Sequence, residues 1–93
     1  MTRHVVEMFG MSGRIAGQQE AEIELKDDAT LGDIVAALRR AIPALEGEVI
    51  RPEENRLTDR YAFNINGRSY FDDRRLQLQD GDHIVLLTLA VGG

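Results

Sequence analysis

The sequence contains no cysteine and no tryptophan. Without cysteine there is no disulfide framework, no thiolate metal site and no cysteine nucleophile. Aromatic residues are few, two Tyr and three Phe in 93 residues, too few for the stacked rings of a single-strand nucleic-acid platform. Positive charge is short as well. The formal net charge is −5, the wrong sign for gripping a phosphate backbone. An acidic surface favours solubility and docking onto a basic partner. No stretch approaches the roughly eighteen consecutive apolar residues of a membrane span. The opening Met-Thr-Arg-His-Val-Val-Glu lacks the apolar core of a signal peptide. A small extracellular domain usually needs disulfides, so the expected address is the cytoplasm.

What is present fits one compact domain over residues 1–93, with 43% hydrophobic and 29% charged residues. His4 to Phe9 reads as a first strand, and the glycine-rich run 10–17 as the loop of a hairpin. Ala21, Ile23 and Leu25 then alternate with Glu20, Glu22 and Glu24, the period of a strand with one wet face. Thr30 is a good N-cap with Asp33 three residues on. Behind it Leu31, Ile34, Val35, Leu38 and Ile42 share one helical face until Pro43 breaks the helix. Residues 44–60 read as a long connection with one short piece near Val49-Ile50. Tyr61, Phe63 and Ile65 alternate again and end at the tight-turn signal Asn66-Gly67. Tyr70-Phe71 forms a brief edge strand, Leu76 and Leu78 lead to a second turn at Asp80-Gly81-Asp82, and an almost wholly apolar run from His83 suits a central strand. Gly92 and Gly93 follow.

Side-chain chemistry is thin. His4 and His83 share no ligand spacing, so no metal site is expected. The pairs Asp27-Asp28, Asp72-Asp73 and Asp80/Asp82 sit at turns or a helix start, where Asp serves local hydrogen bonding. The glycine run lacks the Gly-Lys-Ser/Thr ending of a phosphate loop. The unusual feature is the end. Two adjacent terminal glycines arise by chance about 0.5% of the time at ordinary glycine usage. Lacking Cβ atoms, they form a slender tail that can thread a narrow channel and present a carboxylate.

Thr30-Leu31-Gly32-Asp33 with its helix, Phe63 to Gly67, Asp80-Gly81-Asp82, Ile84 to Leu87 and Val91-Gly92-Gly93 together resemble the MoaD/ThiS family. The likeness covers nearly the whole chain in order. It implies an α+β, ubiquitin-like β-grasp fold, a mixed sheet packed on one main helix. It also implies a sulfur carrier rather than an enzyme. Gly93 would be adenylated by an E1-like enzyme using ATP, with no permanently bound cofactor, and would then carry sulfur as a thiocarboxylate. Gly92 would keep the tail slender. The acceptor would be a molybdopterin synthase large subunit or an equivalent enzyme. The proline often found before the ending in molybdopterin-type members is missing, and the chain is longer than a typical thiamine carrier around 44–60; length favours the molybdopterin or cysteine-pathway type. The alternative from another class is a protein modifier, joined through the same Gly-Gly to a target lysine. Apolar residues at the root of the tail, Leu89 and Val91, are expected to dock the partners.

Overall fold

The computed structural model describes residues 1–70 and 76–89. Among these residues five strands form one sheet: β1 (Thr2–Met8), β2 (Glu20–Leu25), β3 (Tyr61–Ile65), β4 (Arg68–Tyr70) and β5 (Ile84–Thr88). Their order across the sheet is β2-β1-β5-β3-β4. The first and last strands lie side by side in parallel, Val6 beside Ile84 and Met8 beside Leu86, and every other pairing is antiparallel. This is the β-grasp arrangement. The central place of β5 explains its apolar sequence, since Ile84, Val85 and Leu86 are all buried.

The main helix, α2 (Leu31–Ala41), begins where the capping pattern predicts. The Thr30 hydroxyl accepts from the Asp33 N–H at 3.3 Å, and the Asp33 carboxylate accepts from the Thr30 N–H at 2.9 Å. Both satisfy amides that a helix start leaves without partners. Leu31, Ile34, Val35 and Leu38 then pack on Ile23, Leu25, Phe63, Ile65, Ile84 and Leu86. All ten are buried, as their periodicity requires. On β2 the three glutamates face outward and the three apolar residues inward.

Three boundaries differ from the sequence reading. The first strand starts at Thr2 and stops at Met8, short of Phe9. The run 10–17 is not a plain loop: it holds a short helix, α1 (Met11–Ala16). The edge strand is Arg68–Tyr70, fixed by a turn in which Asn66 (φ 54) and Gly67 (φ 91) both take positive φ. Phe71, Asp72 and Asp73 lie outside the described residues.

The long connection after α2 opens with a 3-10 turn at Pro43–Leu45 and is folded tightly. Leu45, Val49, Ile50 and Leu57 all enter the core. Arg39 organises its outer part. Its guanidinium donates to Asn55 Oδ1 at 2.7 Å, to the Arg51 carbonyl at 3.0 Å and to the Glu54 carbonyl, and its Nε lies 2.7 Å from the Glu46 carboxylate as an ion pair without hydrogen-bond alignment. One planar cation therefore gathers four points of a segment that local propensity leaves unspecified.

Candidate functional site

The expected working end lies beyond β5, and the described residues show what surrounds its root. Thr88 is exposed at the strand end, facing Tyr61 across the β3 pairing. Leu89 extends the ladder by one bond, its N–H donating to the Arg60 carbonyl at 2.7 Å. The last described residue is therefore held in place by the sheet. Val91, Gly92 and Gly93 lie outside the described residues.

Helix α1 packs beside this strand end, and its geometry depends on glycine. The chain passes so close to β1 that a Cβ on Gly13 would stand 2.9 Å from the Met8 carbonyl oxygen. Ser12, fully buried, donates its hydroxyl to the Phe9 carbonyl at 3.1 Å. Gly17 closes the helix in the left-handed conformation, its N–H donating to the Gly13 carbonyl at 2.9 Å. These contacts hold Met11 and Ile15, one turn apart, against the end of β5.

Between α1 and the connection before β3 is an open cleft of about 750 Å³. Met11 and Ile15 form one wall, Glu48, Arg60 and Tyr61 the other, and Thr88 and Leu89 the floor at the root of the tail. Phe9 and Met11, 52% and 48% exposed, stand at this end of the molecule. Large apolar side chains left in water at one place mark a surface for contact. Tyr61 is 4% exposed. Burial, with the Glu48 carboxylate nearby, pushes its phenol above the usual tyrosine range, against a smaller opposing pull from Arg60. The phenol is therefore a neutral hydrogen-bonding group at physiological pH.

Of the residues expected to dock partners, Leu89 lines this cleft. Met11, Ile15, Glu48, Arg60 and Tyr61 were not legible as a group, because the three glycines around α1 outweighed the helical spacing of Met11 and Ile15. Two of the remaining candidates, Asp82 and His83, make contacts of their own. Asp82 accepts from the Gln79 N–H and from Asn66 Nδ2, both at 2.8 Å, which pins the turn before β5. His83, exposed at the strand start, lies 3.0 Å from Glu7. Among the described residues no group of three or more His, Asp or Glu side chains is arranged to hold a metal ion. None of their helices is long and apolar enough to cross a membrane.

The profile of the ThiS family matches residues 6–93, nearly the whole chain. Among solved structures, SAMP1 of Haloferax volcanii superposes with a TM-score of 0.82 at 27% identity, over 99% of this chain and all of that one. A putative molybdopterin converting factor subunit 1 of Pyrococcus furiosus gives 0.71 at 21% identity, over 97% of this chain and all of its own. A chain in the BexX/CysO complex of Amycolatopsis orientalis gives 0.70 at 16% identity, covering 96% of this chain and 98% of that one. The last two likenesses are of fold. No curated protein matches the chain.

Proposed function

The chain belongs to the ThiS family, among the MoaD/ThiS-type ubiquitin-like sulfur carriers, and we propose that it carries sulfur as a thiocarboxylate on Gly93. The observation that carries this reading is the extent of the family match, which runs through Gly92 and Gly93. Members of the family are carriers rather than catalysts, and no described side chain here needs to react.

The chemistry follows from what a carboxylate lacks. It is a poor acyl donor until coupled to ATP as a mixed anhydride, a step supplied by an E1-like adenylating enzyme. Sulfur from a persulfide then displaces AMP. The thiocarboxylate is delivered to an accepting enzyme, a molybdopterin synthase large subunit or its equivalent. ATP use fits the cytoplasmic address expected from the sequence. Gly92 gives the tail a cross-section that a channel can admit. Leu89, at the base of the cleft, and Val91 beyond it are the proposed contacts with both partners, aided by the exposed Phe9 and Met11. Deleting Gly93, or adding one residue after it, should abolish ATP-dependent activation by the cognate enzyme without lowering the melting temperature. Equal activation of the extended chain would refute the assignment.

A second reading has its own support. A Haloferax volcanii chain that matches this one at 26% identity, with a TM-score of 0.81, is a small archaeal modifier protein. In that reading the activated Gly93 carboxylate is joined to a lysine of another protein. Activation is common to both, so the product separates them: a thiocarboxylate on the free chain, or an isopeptide branch on a target.

A further inference from the structure

Ten of the eleven basic residues are arginine, and the single lysine is Lys26. A guanidinium stays protonated and does not take an acyl group, whereas a lysine amine does. An activated tail therefore meets only one side-chain amine on any copy of this chain.

The fold sets that amine far from its own tail. Lys26 follows Leu25, which pairs with Thr2 at the start of β1, whereas β5 ends alongside the other end of β1, near Met8. The six steps from Thr2 to Met8 span about 20 Å of strand. The four residues after Leu89 reach at most about 14 Å, starting from the far end. Self-capture within one copy is thus excluded by geometry. Capture by a second copy is not.

Lys26 also lies in a formed site. A polar cleft of about 450 Å³ is lined by Thr2, His4, Lys26, Asp28, Gln79 and Asp80, among others. Lys26 is 67% exposed and, among the described residues, held only by a 3.8 Å approach to Asp33, whose carboxylate is already engaged by Thr30. His4 is 8% exposed, and its imidazole has no hydrogen bond or ion pair with any described residue. Its ring nitrogens are open to solvent in that cleft, where an incoming molecule can reach them. Lys26 and His4 line the same cleft.

We propose that this cleft receives the Gly-Gly tail of a second activated copy, and that Lys26 is the acceptor of its acyl group. The inference rests on the adenylation of Gly93 proposed above. The neutral Lys26 amine attacks the carbonyl of the Gly93 acyl-adenylate. A C–N bond forms, the C–O bond to the phosphate of AMP breaks, AMP leaves with the electron pair, and the amine proton passes to the His4 imidazole. Asp28 and Asp80 provide acceptors for the N–H groups of a tail that has no side chains at its tip. The product is a head-to-tail Gly93–Lys26 isopeptide.

The test uses the full chain, its cognate activating enzyme and ATP, without a persulfide donor. Pyrophosphate release reads adenylation, and intact mass reads ligation. The wild type should form a covalent dimer with the mass of two chains less one water. Trypsin skips an acylated lysine and has no site after Arg75, so a digest should join residues 15–39 to residues 76–93 through Lys26. Lys26→Arg should keep adenylation within about twofold and form no dimer. Because the chain has no cysteine, Lys26→Cys alkylated to the aminoethyl thioether restores an amine at that position alone and should restore ligation. His4→Gln should slow ligation at least about tenfold with adenylation, which also reports that the fold survives, unchanged. Adenylation without a dimer, a dimer that persists in Lys26→Arg, or linkage through an N-terminal amine overturns the proposal and leaves the carrier reading standing. Absence of pyrophosphate release overturns both.

Discussion

Replacing Leu38 by alanine tests the core that positions everything else. Leu38 is fully buried on α2, packed among the apolar residues of the sheet. The change removes the equivalent of three methylenes, worth about 2.4 kcal/mol at about 0.8 kcal/mol each. The space left behind adds a cavity penalty at about 24 cal/mol per Å³, because surrounding helix and sheet relax only in part. The expected loss is therefore about 3–4 kcal/mol, within the range of about 2–5 kcal/mol for such truncations. A domain of this size has about 5–14 kcal/mol of stability in all, so roughly a fifth to four fifths of it is at stake. Urea denaturation followed by circular dichroism reads the effect. At a slope of about 1–3 kcal/mol per molar, the midpoint should fall by about 1–4 M with the slope unchanged. A loss below about 1 kcal/mol at constant slope would refute the placement of Leu38 at the centre of the core.

Gly13→Ala opposes two effects: helix propensity alone favours alanine by about 1 kcal/mol, while the 2.9 Å approach of the new Cβ to the Met8 carbonyl forces α1 off the strand at about 1–3 kcal/mol. A lower melting temperature is expected, and a higher one would show that α1 does not touch β1. Asp33→Asn examines the capping box: hydrogen bonding from the Thr30 N–H holds the Asp33 carboxyl below its ordinary range, with burial opposing it. A lowered folded value means stability present above about pH 4 and lost as pH falls through that folded value, so the advantage of wild type over the variant, up to about 1 kcal/mol before solvent screening, should vanish in acid. Tyr61→Phe probes the other limb: the unfolded phenol ionises near about pH 10 while the buried one resists, so wild-type stability should drop above about pH 10 more steeply than that of the variant in urea midpoints taken across that range.

The sequence is most legible where structure is local. The alternation of Glu20 to Leu25 and the Thr30–Asp33 cap need only neighbouring residues, and both appear as read. Around Gly10, Gly13 and Gly17 local reasoning fails, because glycines that signal a loop here serve close packing and a helix end. The pairing of β1 with β5 joins the two ends of the chain, and no short window contains that contact. Only the family resemblance supplied the fold. The cleft was illegible for the same reason. Arg60, Glu48 and Tyr61 meet α1 only because Arg39 and four buried apolar residues fold the connection back on itself. His4 and Lys26 likewise share a wall only through the pairing of Thr2 with Leu25.

Sulfur is proposed to travel on Gly93. The most direct test is the intact mass of the chain after incubation with its cognate activating enzyme, ATP and a persulfide donor. The expected result is a shift corresponding to exchange of one oxygen for sulfur, localised to the C-terminal peptide that begins after Arg75. No such shift should appear when ATP is omitted or Gly93 is deleted. A mass that stays unchanged with the correct enzyme, or sulfur found anywhere other than on the Gly93 carboxyl, would contradict the carrier assignment.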